Sequence, residues 1–160
     1  MPEGGAVSVY SFKQLTSPDV ALLKELLGLF AEVFEDPQAY QSAVPSDQYL
    51  QELLAKPHFI AVIAQNGNDV IGGLAAYVLD KFEQDRREIY IYDLAVAEEH
   101  RRKGIASGLI TALKSIAKER RAYVIYVQAD RGDTPAIKLY ESLGTKEDVH
   151  HFDIAVNVEG

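Results

Sequence analysis

The chain has 160 residues, with 24 Asp and Glu against 16 Lys and Arg and a net charge of −8 at pH 7. This acidic balance argues against general nucleic-acid binding, because phosphates require a surplus of cations, and it suits a cationic substrate. The absence of cysteine excludes disulfides, thiolate metal ligands and a cysteine nucleophile, and it fits a cytoplasmic location.

No apolar run approaches the roughly 20 residues that a membrane span needs, and the first ten residues do not read as a signal peptide. We therefore expect one soluble domain over residues 1–160, with no membrane partner. Its first half predicts four elements: a strand at Val7–Leu15, a helix from Ser17-Pro18 to about Phe34, a loop containing Pro37 and Pro45, and a helix at Asp47–Ala55.

Strand patterns dominate the middle of the chain. A strand at His58–Gln65, a turn at Asn66–Asp69 and a strand at Val70–Leu79 predict a hairpin. A polar loop, Asp80–Arg87, then leads into the strongest strand pattern, Glu88–Ala97.

The second half predicts a helix, a strand, a helix and a strand. The first helix carries an apolar face from Ile105 to Ile116 and ends near Arg120. Then follow a strand at Ala122–Ala129, a helix over "TPAIKLYESLG" with Gly144 as C-cap, and a strand at His150–Val156. The order predicts a mixed α/β sheet in which the strands of the Glu88–Ala129 unit run parallel.

Positive charge is concentrated in one turn of this acidic chain. "EEHRRKGIAS" joins the Glu88–Ala97 strand to the following helix, whose first N–H groups have no partners inside the helix. Gly104 lets the backbone approach a ligand closely, because it has no side chain, and Ala106 has only a small one. The turn predicts a phosphate site; the alternative is an exposed basic turn that balances Glu98 and Glu99.

Two stretches in this order resemble a known family. "LAVAEEHRRKGIASGLI" and "DTPAIKLYESLG" resemble the two acetyl-coenzyme A signatures of the GNAT superfamily of N-acetyltransferases. "EIYIYDLAV", "AYVIYVQAD" and "HFDI" resemble its aminoglycoside 3-N-acetyltransferase branch. The resemblance implies a GNAT-like, mixed and mostly antiparallel central sheet with a parallel strand–helix–strand unit at the acetyl-CoA site.

The resemblance also implies which residues meet acetyl-CoA. The strand end would offer backbone groups to the pantetheine arm, the basic turn would hold the pyrophosphate, and the second signature would lie near the coenzyme. The residues so implied are Leu94, Ala95, Val96, Arg101, Arg102, Lys103, Gly104, Ile105, Ala106, Ser107, Asp133 and Ala136.

Acetylating an amine requires a base, and Asp93 is the leading candidate. Strand alternation predicts that Asp93 shares a face with Ile89, Ile91 and Ala95, where apolar surroundings would raise the pKa of its carboxyl. The alternative is a buried Asp satisfied by backbone N–H groups. Glu88 is the second candidate for the base.

Tyr140 lies on the apolar stripe of its helix, so periodicity alone predicts a core tyrosine. The resemblance implies instead that Tyr140 donates a proton to the coenzyme thiolate. Carboxylates that suit a cationic aminoglycoside are expected at the cleft, namely Asp36, Glu83, Glu88, Asp130 and Asp153. For all of them except Glu88, the alternative is a solvated surface charge. The histidines at positions 100, 150 and 151 form no convincing ligand set, so we expect no metal.

Three functions follow. The first is an acetyl-CoA-dependent aminoglycoside 3-N-acetyltransferase that confers antibiotic resistance by direct acetyl transfer. The second is a polyamine or protein N-acetyltransferase of the same fold, and the third is a non-catalytic acyl-CoA-binding regulator. Only 16 residues follow Gly144, which leaves the predicted last strand near an edge, so a homodimer is expected.

Overall fold

The computed structural model describes residues 10–41 and 43–157. The chain divides into two compact units, one that ends at Gln128 and one that begins at Ala129. Each unit is described by itself.

The first unit is built on one five-stranded sheet in the order β1-β2-β3-β4-β5. Its strands are β1 (Tyr10–Gln14), β2 (Phe59–Asn66), β3 (Asp69–Asp80), β4 (Arg87–Val96) and β5 (Ala122–Val127). Neighbours are antiparallel except for β4 and β5, which are parallel. The predicted α/β fold with a mixed, mostly antiparallel sheet is therefore confirmed. Residues 7–9 of the first predicted strand lie outside the described residues.

The described residues contain five α-helices. They are α1 (Val20–Val33), α2 (Pro37–Gln41), α3 (Asp47–Ala55), α4 (Ile105–Glu119) and, in the second unit, α5 (Thr134–Leu143). The helix predicted from Ser17 begins as a 3-10 turn, Ser17–Asp19, and becomes α-helical at Val20. Helix α2 falls where we predicted a loop, because a five-residue helix is too short to show apolar periodicity.

The two faces of the sheet are covered by different helices. Helices α1 and α3 pack on the face that carries Phe59, Ala61 and Ile63 of β2. Helix α4 packs on the opposite face through a stripe of buried residues that includes Leu109 and Leu113. Between them the helices bury both faces of the central strands, which is why β2 is apolar at successive positions from Phe59 to Ala64.

Close packing of α1 depends on Gly73 in β3. A Cβ at this position would collide with the Cδ1 atom of Leu26, so the helix lies against bare backbone there. The contact fixes α1 above the middle of β3, beside the strand that carries Asp93.

The second unit contains α5 and an extended tail. The strand predicted at His150–Val156 is wrong, because residues 144–157 form neither helix nor strand. Alternating apolar residues are suited to a strand, but a strand also needs a neighbour that accepts its backbone hydrogen bonds. In this tail Phe152, Ile154 and Val156 are each at least 80% exposed.

Candidate active site

A β-bulge in β4 decides which way Asp93 faces. Asp93 pairs with Ala75 of β3, whereas the next paired residues are Ile91 and Ala76, so Tyr92 is an extra residue in the ladder. Because one extra residue reverses the alternation, Asp93 joins Ala95 on the α1 and α3 face, opposite Ile89 and Ile91. The predicted shared face with Ile89 and Ile91 is therefore wrong, and the one with Ala95 is right.

The Asp93 carboxylate is half-buried and accepts a hydrogen bond from the hydroxyl of Tyr40 at 3.2 Å. Burial raises the pKa of this carboxyl above its usual value, while the Tyr40 hydrogen bond lowers it in part. Among the described residues no backbone N–H bonds the carboxylate, so its setting is not that of a structural Asp at a strand end.

Asp93 opens into a cavity of about 260 Å³ beneath α1 and α3. Leucines such as Leu26 and Leu53 form its apolar wall, and Tyr49, Tyr77 and Tyr92 line it as well. Asp93 is the one ionisable carboxylate among the described lining residues. A single anion in apolar and aromatic surroundings attracts an ammonium group, both through charge and through the ring faces.

The cavity lies beside a stretch of β4 with one unpaired edge. Strands β4 and β5 pair from Arg87 to Ile91, and from Asp93 to Val96 β4 pairs only with β3 among the described strands. Backbone groups face alternate sides along an antiparallel strand, and the N–H of Ala97 bonds Ile71 of β3, so the groups of Ala95 also face β3. Those of Leu94 and Val96 face the open edge, where an extended ligand can meet them. This is the segment that the resemblance implies for the pantetheine arm.

The basic turn follows this open edge. Gly104 adopts a φ of +78° just before α4, and no atom lies within 4 Å of where its Cβ would be. Arg102 and Lys103 are exposed and form no ion pair within the described residues, while Arg101 donates from Nε to the carbonyl of Val96 at 3.3 Å. An open glycine, unpaired cations and a helix start together fit a pyrophosphate.

The first turn of α4 contains the remaining implied contacts. Ile105 is buried and its Cγ2 atom would lie 3.2 Å from a Cβ on Gly72, so the helix start is fixed against β3. Ala106 and Ser107 are partly exposed, which leaves their N–H groups near the surface of the turn.

Glu88 and Glu83 belong to a separate polar cluster. Glu88 accepts from the Tyr123 hydroxyl at 2.6 Å and lies 3.4 Å from the Lys81 ammonium, and Glu83 pairs with Arg86 at 3.4 Å. The Tyr123 hydrogen bond and the charge of Lys81 hold the pKa of Glu88 below its usual value. A general base that works near neutral pH needs a raised pKa. Asp93 meets this requirement and Glu88 does not, so Asp93 is the better candidate for the base.

Asp36 is exposed and accepts from the backbone N–H of Ala39 at 3.1 Å, which caps α2 and thereby helps to place Tyr40. Sequence reasoning selected Asp36 but missed Tyr40, Tyr49, Tyr77 and Tyr92. These tyrosines lie in the loop, helix and strands predicted from the sequence, but only the fold shows that they face Asp93.

In the second unit, Asp133 is the N-cap of α5 and accepts from the backbone N–H of Ala136 at 3.2 Å. Burial, together with the Asp133 charge, raises the pKa of Tyr140, so its phenol keeps its proton at neutral pH. Asp130 is exposed at the turn before α5. Asp153 is also exposed and lies 2.9 Å from His151.

Within residues 10–41 and 43–157, no three His, Asp or Glu side chains are grouped so that they could hold a metal ion. Over the same residues, no helix has the length and apolar character to cross a membrane.

Solved acetyltransferases share this architecture. The chain is 50% identical to aminoglycoside acetyltransferase HMB0005 from an uncultured soil metagenomic sample, with a TM-score of 0.91 over 92% of this chain and 99% of that one. It is 32% identical to aminoglycoside acetyltransferase meta-AAC0020, from a similar source and solved with sisomicin, with a TM-score of 0.86 over 93% and 97%. The fold thus places the chain among acetyltransferases of the α/β class.

Residues 23–145, more than half of the chain, match the acetyltransferase (GNAT) family. The chain therefore belongs to the acetyltransferase (GNAT) family, which confirms the resemblance and the interpretation as an acyltransferase. Among curated relatives it is 33% identical to an N-alpha-acetyltransferase of Saccharolobus solfataricus over 100 residues, which cover 56% of each protein. It is 26% identical over 90 residues to N-acetyltransferase family 8 member 2 of Rattus norvegicus, covering 56% of this chain and 40% of that one. The chain spans about half the length of these curated relatives.

Proposed function

We propose that the chain is an acetyl-CoA-dependent aminoglycoside 3-N-acetyltransferase, and that residues 1–160 act as one catalytic domain. The observation that carries the chemistry is the single carboxylate, Asp93, half-buried in an aromatic cavity beside the open edge of β4. The substrate class is supported by the 50% identity to an aminoglycoside acetyltransferase over nearly the whole chain. The 3-position comes from the sequence resemblance, and resistance and a cytoplasmic location are proposed with it.

Bound acetyl-CoA would supply the acetyl group as a thioester. The N–H groups and cations of Arg101–Ser107 would hold its pyrophosphate, and Leu94–Val96 would hold the extended arm along β4. Asp93 would attract the acceptor ammonium and take its proton at the carboxylate, which leaves the nitrogen lone pair free to attack. Because Asp93 is half-buried beside an apolar wall, its charge acts on the amine with less screening than in bulk water.

Tyr140 would hold the proton needed by the departing sulfur. Tyr140→Phe is expected to lower kcat by about 10²-fold with little change in either KM, because the hydroxyl is needed only in the chemical step. Stopped-flow detection of the free thiol measures this effect. Unchanged kcat would make Tyr140 a packing residue of the second unit, as its periodicity alone predicts.

The choice of substrate is tested by turnover. Free-thiol release is measured with gentamicin, kanamycin, spermidine and a peptide with a free N-terminus, each at several concentrations. An aminoglycoside enzyme gives kcat/KM values at least about 10²-fold higher for the antibiotics than for the other amines, which corresponds to about 3 kcal/mol of transition-state binding. A preference for the peptide would favour the function of the N-alpha-acetyltransferase relative, and acetyl-CoA binding without turnover would favour a regulator.

We also propose a homodimer. The exposed apolar side chains of the tail support it, since the tail does not form the edge strand from which the sequence predicted a dimer. Phe152, Ile154 and Val156 present a row of apolar side chains to solvent, which a second copy would cover. We expect a dimer by sedimentation at micromolar concentration and a monomer for Ile154→Asp. A wild-type monomer under these conditions would contradict the proposal.

A further inference from the structure

Tyr40 of α2 and Asp93 of β4 are distant in the sequence, and the structure brings them into contact. Tyr40 donates from Oη to the Oδ1 atom of Asp93 at 3.2 Å, and both side chains are half-buried. No other described residue donates to this carboxylate. One oxygen is therefore occupied by a fixed phenol, and Oδ2 is left for an acceptor amine.

Packing holds the Tyr40 ring in place. Its centroid lies 5.9 Å from that of Phe30 and 5.7 Å from that of Phe34, both from α1 or its C-terminal end. The Asp36 cap fixes the first turn of α2 from the other side. Since Phe can make the same ring contacts, Tyr40→Phe removes the hydrogen bond and leaves this aromatic cluster.

Other groups that face Asp93 do not compete for this role. Helix α1 contributes apolar side chains to the cavity wall, and the facing titratable groups of the first unit are the phenols of Tyr49, Tyr77, Tyr90 and Tyr92. Burial, followed by the charge of Asp93, raises the pKa of Tyr40, so Tyr40 is a proton donor over the whole working pH range.

We propose that Tyr40 is a positioning residue for the acceptor site: its hydroxyl favours the ionised form of Asp93 against burial and orients Oδ2 toward the cavity. The inference rests on the proposed function, in which Asp93 takes the proton of the amine. It explains how a carboxylate among leucines and tyrosines stays available as a base: desolvation alone would favour the protonated acid, which cannot accept a proton.

The sequence supplies a matched control. Tyr123 of β5 donates to Glu88 at 2.6 Å, so β4 carries a second carboxylate, near its start, that accepts from a tyrosine hydroxyl. Tyr123→Phe removes the same type of hydrogen bond from a carboxylate that the proposal does not use. The two variants therefore compare the loss of a phenol–carboxylate hydrogen bond at Asp93 with the loss of one at Glu88.

The test has two readouts on the full chain. The first is the carboxyl carbon shift of Asp93 in protein labelled with ¹³C-aspartate, assigned with Asp93→Asn and followed against pH without substrate. Loss of one charge-assisted hydrogen bond should raise the pKa of Asp93 by about one unit in Tyr40→Phe and leave it unchanged in Tyr123→Phe. The second is the acid limb of kcat/KM, which should move to higher pH by the same amount in Tyr40→Phe alone.

An Asp93 titration identical to wild type in Tyr40→Phe would overturn the proposal, as would an acid limb that moves only in Tyr123→Phe. If the chain acetylates no amine, the proposed function fails, yet the titration still decides whether Tyr40 sets the ionisation of Asp93. Retained acetyl-CoA affinity and an unchanged melting temperature in Tyr40→Phe show that the variant is folded.

Discussion

Asp93→Asn is expected to lower kcat by about 10²–10⁴-fold while acetyl-CoA binds as in wild type. Asn keeps the size of the side chain and its oxygen still accepts the Tyr40 hydrogen bond, but it cannot take a proton. The rate should then depend on the small fraction of acceptor amine that is already deprotonated, so activity should rise with pH. Steady-state rates between pH 5 and 10, together with calorimetry for acetyl-CoA, measure both effects.

The pH profile of wild-type turnover should show the direction in which the pKa of Asp93 is shifted. Burial raises that pKa, so turnover falls, as pH falls, at a higher pH than an exposed aspartate would give. Glu88→Gln provides the comparison, because the pKa of Glu88 is lowered by Tyr123 and Lys81. Near-normal turnover of Asp93→Asn with the acid limb removed instead by Glu88→Gln would reassign the base to Glu88.

Gly104→Val is expected to weaken acetyl-CoA binding by about 10–100-fold. This is the effect of losing at least one charge-assisted hydrogen bond to a phosphate. The new side chain would fill the free space beside Gly104, at the start of α4 where we propose that the pyrophosphate binds. A β-branched residue at a φ of +78° is also strained, so the variant alone would not separate ligand exclusion from strain.

Gly67→Val supplies the required control. Gly67 lies in the turn between β2 and β3 with a φ of +61° and, like Gly104, has no atom within 4 Å of a Cβ. Both variants carry similar backbone strain, of about 1–2 kcal/mol, but Gly67 is not part of the basic turn. Equal acetyl-CoA affinities of the two variants by calorimetry would place the pyrophosphate elsewhere.

Sequence periodicity predicted the sheet well because most of its signal is local. Each strand predicted from His58 to Ala129 exists within one or two residues of its predicted ends, and α3 spans the predicted Asp47–Ala55. The hairpin follows from its turn, in which Gly67 has a positive φ. The parallel β4–β5 pair follows from a connection long enough to hold α4.

The site was less predictable because its decisive features are not local. The bulge at Tyr92 depends on how β3 pairs with β4, and alternation read from β4 alone places Asp93 on the wrong face. The Tyr40 contact joins residues 53 positions apart, through a helix too short to show a pattern. The tail shows the opposite error, since "HFDIAV" has the alternation of a strand but no described neighbour to pair with.

In the proposed reaction, the chain moves an acetyl group from acetyl-CoA to one amine of an aminoglycoside. The most direct measurement is the NMR structure of the product formed from gentamicin and acetyl-CoA by the wild-type chain, with Asp93→Asn incubated in parallel. We predict one acetyl group, on the nitrogen at position 3, with release of one free thiol per acetyl group and little product from the variant. An acetyl group at another nitrogen, or no product from the wild-type chain, would contradict the account.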